Sequence, residues 1–465
     1  MNISEFYRFI KGKTVAFCGI GGSNLPLALS FAEKGAVVSA RDRRTPEQLG
    51  EAAAKLRDAG VRLITGDNYL ADLNEDIIFR TPAMRYYLPE LNAARARGAA
   101  VTSEMEVFFS LCPCKTYGIT GSDGKTTTTT VISKMLKTAG KTVHLGGNIG
   151  EAMLPRIGEI GPEDVAVAEL SSFQLISMRR SPDVALVTNV TPNHLDVHKD
   201  MQEYIDAKKN VILHQDAFGR AVLNADNDVT ASFAEETRGQ CLLFSRRHPV
   251  ENGAWMDENG EMYVTFGGKT ERFMNASEIR IPGKHNIENY LAAAAAVWGE
   301  VPPEIIRKVA MEFEGVEHRN EFVRELEGVR YYNDSIGTTP SRTASGALSL
   351  FDRKIILIAG GYDKKIPFDP IGPVIADRVK TLVLIGATAE KIETAVKAAE
   401  HYSEGNPEIL HAFSLEEAVN LCREHAESGD VVVLSPACAS FDMFPNYETR
   451  GERFKDLVNG LKEKS

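Results

Sequence analysis

The sequence of 465 residues has few of the features that mark a membrane, secreted or nucleic-acid-binding protein. It contains no apolar run that approaches the roughly 18 residues of a membrane span, and the polar, acidic-aromatic residues 1–8 do not resemble a signal peptide. Its 53 Lys and Arg against 64 Asp and Glu give a formal net charge of −11, which disfavours binding to a nucleic-acid backbone or an anionic membrane surface. We therefore predict a cytoplasmic protein with no nucleic-acid or membrane partner, and we expect it to be a monomer.

Cysteine is also scarce and scattered along the chain. No two cysteines stand in the C-x-x-C spacing of a zinc or redox motif. We therefore predict reduced core thiols at Cys18, Cys112, Cys114, Cys241, Cys422 and Cys438.

Short apolar runs rich in β-forming residues alternate with helical stretches along almost the whole chain. This alternation is typical of parallel sheets in an α/β architecture. The predicted strand runs are 14–20, 37–42, 61–65, 77–79, 165–170, 184–190, 355–358, 382–385 and 431–434.

The first glycine loop, residues 19–24, follows a predicted strand and is similar to a dinucleotide-binding fingerprint. The strand predicted over 37–42 ends on an acidic residue at about the 20-residue offset of that fingerprint. However, Asn24 stands where the fingerprint has its third glycine. Three interpretations stay open: a nicotinamide site, a loop that holds another nucleotide diphosphate at a helix N-terminus, and a structural turn. We favour the second.

The second glycine loop, residues 118–126, is the strongest local signal, and it opens a Thr-rich helix. Its Gly124-Lys125-Thr126 end is that of a P-loop, in which backbone N–H groups and the helix dipole hold phosphates. The lysine of such a loop reaches the β/γ oxygens and the hydroxyl meets Mg²⁺. The strict pattern has glycine where this chain has Ile119. We favour a phosphate-binding loop over a structural turn.

Two boundaries divide the chain into three predicted domains. At about 100 to 200 residues per domain, the length suggests two to four of them. One boundary falls near Ser103, before the second glycine loop, and the other near Glu314, after helices predicted over 289–298 and 304–313. The predicted domains are a Rossmann-like N-terminal domain (1–104), a central P-loop ATPase-like parallel-sheet domain (105–314) and a C-terminal Rossmann-like α/β domain (315–465).

Glu169 and His194 are candidate metal ligands beside the phosphates. Glu169 lies at the end of the strand predicted over 165–170, and His194 lies just past the strand predicted over 184–190. Because the carboxyl ends of parallel strands face the P-loop crevice, both side chains can reach a metal there. Lys208 follows on a predicted helix, where a lysine is ordinarily a solvated charge.

These motifs resemble the Mur ligase superfamily over essentially the whole chain, and most closely its branch that adds D-glutamate to UDP-N-acetylmuramoyl-L-alanine. The superfamily-wide segments are 118–126, 189–196, 283–289 and 317–319. The segments typical of the D-glutamate-adding branch are 169–175, 360–364 and 434–442, followed by Phe444, Asn446, Glu448, Arg450, Gly451 and Phe454.

The resemblance implies a site for ATP and two Mg²⁺ ions. Lys208 is similar to a lysine that the family carbamylates into a carboxylate-like metal ligand, although the neighbouring Lys209 makes this placement ambiguous. Asn286 corresponds to an adenine contact, and Arg319 and Asp334 to ribose and phosphate contacts from the third domain. The implied ATP-binding residues are Gly121, Ser122, Asp123, Gly124, Lys125, Thr126, Thr127, Asn286, Arg319 and Asp334. The implied metal ligands are Thr126, Glu169, His194 and Lys208, and the implied catalytic residues are Lys125, Lys208, His194 and His318.

The resemblance also implies substrate contacts in the first and third domains. The uridine diphosphate and muramoyl contacts are Ser23, Arg43, Arg44 and Asn148, and the D-glutamate contacts are Thr338, Lys364, Ser440 and Tyr447. Tyr447 stands at a position where the family is associated with Phe, so this chain has an additional hydroxyl there. Ile336 stands where some relatives have lysine, so the role of that lysine does not carry over.

The implied reaction is ATP-dependent amide formation through an acyl phosphate, in the cytoplasmic synthesis of peptidoglycan precursors. Because an amine attacks a free carboxylate negligibly, ATP must first convert the carboxylate into an acyl phosphate. Water must then be excluded, so we expect the third domain to move and close the site. Two alternatives stay open, namely a folylpolyglutamate-type ligase and a phosphate-binding regulatory NTPase module.

Overall fold

The computed structural model of the protein describes residues 1–194 and 197–463. Leu195 and Asp196, which end the 189–196 motif, lie outside the described residues. The chain divides into two units: unit 1 comprises Met1–Ile279 and His285–Met311, and unit 2 comprises Arg280–Lys284 and Glu312–Ser465. In the part of the chain that is described, no helix has both the length and the apolar character needed to cross a bilayer.

The first sheet has five parallel strands. They are β1 (Thr14–Cys18), β2 (Val37–Asp42), β3 (Arg62–Thr65), β4 (Ile77–Arg80) and β5 (Ala100–Thr102). Their helices are α1 (Ile3–Ile10), α2 (Asn24–Glu33), α3 (Pro46–Leu49), α4 (Glu51–Asp58), α5 (Pro89–Ala96) and α6 (Glu104–Leu111). The spatial order is β3-β2-β1-β4-β5. Phe17 packs against Phe31 and Phe79 with ring centroids 5.3 and 4.9 Å apart, which fills the core of this sheet.

The second sheet has nine strands. They are β6 (Lys115–Thr120), β7 (Val143–Gly147), β8 (Val165–Glu169), β9 (Val184–Val187), β10 (Arg220–Asn224), β11 (Gln240–Ser245), β12 (Gly253–Met256), β13 (Glu261–Phe266) and β14 (Lys269–Asn275). The helices are α7 (Lys125–Thr138), α8 (Ser172–Leu175), α9 (Met201–Leu213), α10 (Asp228–Ser232), α11 (Lys284–Val297) and α12 (Pro303–Glu312), with 3-10 turns at Leu154–Glu159, Phe233–Glu236 and Ala276–Glu278. The order is β14-β13-β12-β11-β10-β9-β6-β8-β7, and only the pairs β12–β13 and β13–β14 are antiparallel among those described.

Three adjacent strands of this sheet position the candidate site. β6 lies between β8 and β9 and runs parallel to both. The P-loop follows β6, Glu169 ends β8, and the segment that contains His194 follows β9. Since the strand order reverses at β6, these three carboxyl ends border the crevice where open α/β sheets bind ligands.

The third sheet, in unit 2, has six strands. They are β15 (Glu321–Leu326), β16 (Val329–Asn333), β17 (Ile355–Ala359), β18 (Val379–Leu384), β19 (Glu408–His411) and β20 (Val431–Leu434). The helices are α13 (Pro340–Ser345), α14 (Ala347–Leu350), α15 (Gly372–Arg378), α16 (Ala389–Lys397), α17 (Leu415–His425) and α18 (Tyr447–Gly460). The order is β15-β16-β20-β17-β18-β19, with β15–β16 antiparallel. Leu357 of β17 packs into one hydrophobic cluster and Ile356 and Ile358 into another, so the sheet has a core on each face.

The predicted α/β architecture with parallel sheets is confirmed, since each of the nine predicted runs overlaps a strand. The predicted helices 289–298 and 304–313 correspond to α11 and α12. Each of the three predicted domains contains one sheet, and the division at 104 and 314 stays a prediction. The antiparallel strands β12 to β14 were not predicted. Their signal was Gly267-Gly268, a two-residue hairpin turn in which both residues have positive φ (58° and 75°).

Candidate active site

The P-loop is shaped by two glycines with positive φ, Gly121 (147°) and Gly124 (80°). A Cβ at Gly121 would collide with Thr188 Oγ1, and a Cβ at Gly124 with Asn289 Oδ1. Both positions therefore need glycine for space as well as for backbone conformation. Ile119, which departs from the strict pattern, is buried within β6 and lies before the loop.

The loop is anchored to the segment that follows β9. Ser122 N donates to Asn189 O at 2.9 Å, and Asp123 N donates to Asn189 Oδ1 at 3.0 Å. Lys125 Nζ donates to Gly121 O at 2.9 Å and to Ser122 O at 2.8 Å. The lysine therefore lies over the loop at the N-terminus of α7, where the helix dipole favours a phosphate.

Lys208 is buried beside the P-loop, whereas Lys209 is not. Lys208 is 1% exposed, and its Nζ donates to Gly121 O at 2.6 Å. Burial, reinforced by the nearby Lys125 ammonium, lowers the pKa of Lys208 well below its usual value, while Asp123 and Glu169 oppose that shift. Lys209 instead pairs with Glu236 at 2.6 Å.

Glu169 has one carboxylate oxygen in a hydrogen bond and one without a hydrogen-bond partner. Asn148 Nδ2 donates to Glu169 Oε1 at 2.7 Å, and Asn148 N donates to Glu169 O at 2.8 Å. Within residues 1–194 and 197–463, Glu169 Oε2 is buried without a hydrogen-bond partner. A buried carboxylate oxygen of this kind is costly unless a cation or a donor satisfies it.

His194 is exposed and has a positive φ of 55°. Its ring meets that of Phe173 edge-on, with centroids 5.1 Å apart. Phe173 lies in α8, just after Glu169 in the sequence. The short segment that carries Glu169 therefore also contacts His194, the second candidate ligand.

The side chains of Thr126, Glu169 and Lys208 fit a Mg²⁺ site if Lys208 is carbamylated. The Thr126 hydroxyl and the Glu169 carboxylate are oxygen donors of the type that Mg²⁺ prefers. Lys208 as an ammonium would repel the ion, whereas a carbamate on the same nitrogen would supply a further anionic oxygen. The depressed pKa favours the neutral amine that reacts with carbon dioxide, so the residues fit a carbamylated form.

The predicted adenine contact is tied to the P-loop helix. Asn289 Nδ2 donates to Asn286 Oδ1 at 3.0 Å, and Thr128 Oγ1 donates to Asn289 Oδ1 at 3.1 Å. All three side chains are buried. Asn289 was not predicted as a site residue, although it lies in the 283–289 motif.

The first glycine loop is hydrogen-bonded to Asp42, the acidic residue at the end of β2. Asp42 accepts hydrogen bonds from Ile20 N at 2.6 Å and from Arg44 Nε at 3.0 Å. Burial alone would raise the pKa of Asp42, but these hydrogen bonds outweigh burial and lower it. Asn24, which stands in place of the third glycine, donates from Nδ2 to Gly19 O at 2.9 Å and so takes part in the hydrogen bonds of the loop. Since Asp42 is already fully bonded, the loop is poorly suited to hold a nicotinamide ribose. Arg43 is 80% exposed.

A cavity of about 1110 Å³ lies within unit 1, between the loop after β4 and helices α8 and α9. It is lined by Pro82, Tyr86, Phe173, Arg179 and Lys199, among others. Since Phe173 also contacts the His194 ring, the cavity lies next to the candidate metal site.

Three of the four predicted D-glutamate residues of unit 2, Thr338, Lys364 and Ser440, lie on adjacent loops. Lys364 Nζ donates to Thr338 O at 3.2 Å, and burial lowers the pKa of Lys364. Tyr362 N donates to Ala439 O at 2.9 Å, which holds the Lys364 loop beside the loop that contains Ser440.

Tyr447 begins α18, and its ring lies 6.0 Å from that of His318. Burial, with a contribution from Glu448, raises the pKa of the Tyr447 hydroxyl. His318 Nδ1 lies 3.0 Å from Asn333 Nδ2.

Arg450 is a buried residue of this site whose role the sequence did not reveal. Its guanidinium donates to Ser335 O at 2.8 Å and to Cys438 O at 3.2 Å. Burial lowers its pKa to about 10. Arg450 thus connects the loop after β16 with the loop after β20, which carries Ser440.

Asp334 is buried beside the predicted ATP contact Arg319. Ser435 Oγ donates to Asp334 Oδ2 at 2.6 Å, and Asn320 N donates to Oδ1 at 3.3 Å. Burial raises the pKa of Asp334 to about 6, against the opposing effects of Ser435 and Arg319.

Glu317, His318 and Glu452 form a cluster with the geometry of a metal site, but a lysine lies within it. Lys455 Nζ is 2.7 Å from Glu317 Oε1 and 2.9 Å from Glu452 Oε1. Its ammonium already neutralises the carboxylates, so the cluster is an ion-pair network.

Comparison with known proteins supports one family over most of the chain. Residues 119–297 match the Mur ligase middle domain, and residues 318–438 match the Mur ligase glutamate ligase domain. The UDP-N-acetylmuramoylalanine--D-glutamate ligase of Acetivibrio thermocellus is 52% identical over 99% of both chains, and that of Ruminiclostridium cellulolyticum is 48% identical over 99% of both.

Solved structures share the fold at low sequence identity. The UDP-N-acetylmuramate-alanine ligase of Thermotoga maritima has a TM-score of 0.56 and 18% identity, covering 97% of this chain and 100% of its own. MurF from Acinetobacter baumannii has a TM-score of 0.56 and 16% identity, covering 97% of this chain and 92% of its own. The fold likeness and the full-length relatives agree, and the chain belongs to the Mur ligase family.

Proposed function

We propose that this enzyme adds D-glutamate to UDP-N-acetylmuramoyl-L-alanine, with ATP converted to ADP and phosphate. As a Mur ligase it is an ATP-dependent amide-bond ligase of peptidoglycan synthesis that acts on small molecules. Both relatives named above carry this substrate pair in their names. Since ATP and UDP-linked sugars are cytoplasmic metabolites, we place the reaction in the cytoplasm.

One observation carries the proposal. Three features lie together at the ends of neighbouring strands: the P-loop, the buried Lys208, and the Glu169 carboxylate with one oxygen that has no hydrogen-bond partner among the described residues. Such a site can hold a triphosphate beside divalent cations. When bound, Mg²⁺ would neutralise charge on the transferring phosphoryl group, and Thr126, Glu169, His194 and carbamylated Lys208 would hold it. Lys125 would position the β/γ oxygens with its ammonium.

The cavity beside Phe173 is the proposed position of the muramoyl part of the substrate. Asn148, which holds Glu169, and the neighbouring His194 lie at the end where the acceptor carboxylate would react. Ser23 and Arg44, at the first glycine loop, would hold the uridine diphosphate. This placement puts the L-alanine carboxylate next to the γ-phosphate, as acyl phosphate formation requires.

Lys364, Thr338, Ser440 and Tyr447 are the proposed contacts of D-glutamate. The Lys364 ammonium suits a carboxylate, and the Ser440 and Tyr447 hydroxyls suit its remaining oxygens. Arg450 holds two of these loops together by hydrogen bonds to backbone carbonyls. The amine of D-glutamate would then attack the acyl phosphate and release phosphate.

Phosphate release with UDP-N-acetylmuramoyl-L-alanine, ATP, Mg²⁺ and a panel of amino acids tests the proposal. We expect release only with D-glutamate, and L-glutamate serves as the matched control. Release that requires L-glutamate and a folate would instead identify a folylpolyglutamate-type ligase. ATP hydrolysis that no amino acid stimulates would support the regulatory NTPase alternative.

A further inference from the structure

The buried side chain of His198 is hydrogen-bonded at both ring nitrogens. Its Nε2 lies 2.9 Å from the Ser172 hydroxyl, and its Nδ1 lies 3.0 Å from Glu203 Oε1. Because a carboxylate only accepts hydrogen bonds, Nδ1 donates to Glu203. The orientation of the ring is therefore fixed from both sides.

The same ring supports the packing of His194. His198 stacks on Phe173 with centroids 5.0 Å and planes 6° apart, and Phe173 meets the His194 ring edge-on. His194 has the positive φ that residues with side chains seldom adopt, so packing matters to where its ring lies. A shift of His198 would move the surface that His194 contacts.

The hydrogen-bond partners of His198 lie on the elements that carry the other two proposed ligands. Ser172 begins α8, close after Glu169. Glu203 lies in the first turn of α9, the helix that carries Lys208. The ring thus links the ends of two elements that must hold Glu169 and Lys208 in register.

Tyr204 extends this set of contacts to the P-loop. Its ring lies 5.3 Å from that of His198, and its hydroxyl lies 2.9 Å from Ser122 Oγ. His198 therefore contacts the segments next to Glu169 and Lys208 directly, and it is linked to His194 through Phe173 and to the P-loop through Tyr204.

We propose that His198 is a positioning residue for the Mg²⁺ site, an inference that rests on the proposed function. It keeps Glu169, His194 and Lys208 in register through its contacts with Ser172, Phe173 and Glu203. Residues that orient metal ligands typically change metal affinity by 10- to 100-fold when they are replaced.

A hydrolytic triad is the alternative interpretation of Ser172, His198 and Glu203. A nucleophile of that kind must be exposed to its substrate. Ser172 is 2% exposed and is not part of the cavity wall that His198 and Glu203 line. The arrangement therefore suits a positioning role.

The test measures the affinity of Mn²⁺, as a probe for Mg²⁺, by electron paramagnetic resonance with a non-hydrolysable ATP analogue present. His198→Phe keeps an aromatic ring against Phe173 but removes both polar contacts. His198→Asn keeps a donor for Glu203 but removes the stack. His214→Asn is the matched control, because His214 is an exposed histidine that follows the C-terminal end of α9.

We expect His198→Phe to weaken Mn²⁺ binding by about 10-fold or more, while metal-free binding of the analogue and the control variant are unchanged. A merely structural role would lower the melting temperature without changing Mn²⁺ affinity in the folded protein. If His198→Phe does not fold, His198→Asn decides by the same measure.

Mn²⁺ affinity in folded His198 variants that equals that of His214→Asn would overturn the positioning role alone. Wild-type enzyme that binds no Mn²⁺ with the analogue, or releases no phosphate with D-glutamate, would instead contradict the proposed function. The two failures are therefore distinguishable.

Discussion

At the scale of single residues, Lys125 is the side chain on which phosphoryl transfer should depend most directly. Its ammonium lies on the loop carbonyls at the N-terminus of α7. We expect Lys125→Ala to lower ADP formation by at least about 1,000-fold, with the melting temperature nearly unchanged. Lys137→Ala, an exposed position in the last turn of the same helix, is the control and should keep normal turnover. Normal turnover of Lys125→Ala would remove the P-loop from the mechanism.

The neighbouring Lys208 and Lys209 give a second matched pair. If Lys208 is carbamylated, Lys208→Ala loses a metal ligand, and added acetate should restore part of the activity. Lys209→Ala removes an ion pair with Glu236, worth about 0 to 1 kcal/mol, and a contact with the Phe233 ring. Because Lys209 also lines the cavity, the comparison is made at saturating substrate, where Lys209→Ala should keep its turnover number. Steady-state phosphate release with and without acetate measures both, and a ¹³C-carbamate signal from labelled bicarbonate should be absent only in Lys208→Ala. Full activity of Lys208→Ala without acetate would contradict the carbamate.

Asp334 predicts a pH dependence of stability. Its pKa is near 3.8 when unfolded and is raised to about 6 in the folded protein, so between these values the folded state binds more protons. The contribution of Asp334 to the free energy of unfolding should therefore fall as pH rises from about 4 to about 6, by up to about 3 kcal/mol.

Urea unfolding of Asp334→Asn against wild type, at pH 4 to 7, measures this contribution. The difference should change with pH across that window and level off above it. Asp352→Asn, an exposed position in the same unit, should show no such change. A pH-independent difference for Asp334→Asn would contradict the raised pKa.

Individual side chains were predicted unevenly from the sequence. Lys125 was placed by the P-loop pattern and Glu169 by its position at the end of a strand, whereas Asn148 was placed only by the resemblance to the family. Burial of Lys208 was not evident from residue type, because a helical lysine is ordinarily solvated and only the packing of α9 against β6 turns it inward. Arg450 was named in the family pattern but received no role, because its partners are backbone carbonyls of loops that are remote in the sequence.

At the scale of elements, the P-loop turn before α7 predicts a contrast between two glycines. Gly124 and Gly140 both have positive φ, 80° and 90°, at the two ends of this helix. Alanine at either site should cost about 1 to 2 kcal/mol for that backbone conformation. Only at Gly124 would the added Cβ also collide with Asn289, whereas Gly140 faces open space.

We therefore expect Gly124→Ala to lower turnover by about 100-fold or more, because the phosphate cradle is displaced. Gly140→Ala should lose stability but keep its turnover at temperatures where it is folded. Phosphate release together with thermal unfolding separates the two effects. Equal turnover in both variants would show that the collision is relieved by movement of Asn289.

Elements were predicted best where both faces are buried. Continuous apolar runs such as β8 and β20 are typical of central parallel strands, which are buried on both faces. The edge strand β14 was missed because four of its residues are exposed and charged or polar, Lys269, Thr270, Glu271 and Arg272, which is not the pattern of a buried strand. Only its Gly-Gly turn carried a signal.

At the scale of the whole molecule, the hydrophobic cores follow the two units. The clusters around Phe17 and Leu91 use only residues of unit 1, and the clusters around Leu357 and Ile356 only residues of unit 2. The P-loop, Glu169 and the cavity belong to unit 1, whereas the proposed D-glutamate contacts belong to unit 2. Folding of unit 1 and nucleotide binding should therefore be separable from ligation.

A chain that ends at Met311 tests this separation. We expect it to unfold cooperatively in calorimetry and to bind a non-hydrolysable ATP analogue through the P-loop, because its cores and its phosphate cradle are complete. It should release no phosphate in response to D-glutamate, because Lys364, Thr338, Ser440 and Tyr447 are absent. The same fragment with Lys125→Ala is the control and should fold without binding the analogue. A fragment that melts without cooperativity would show that unit 1 depends on residues 312–463, and the assignment of independent cores would then be wrong.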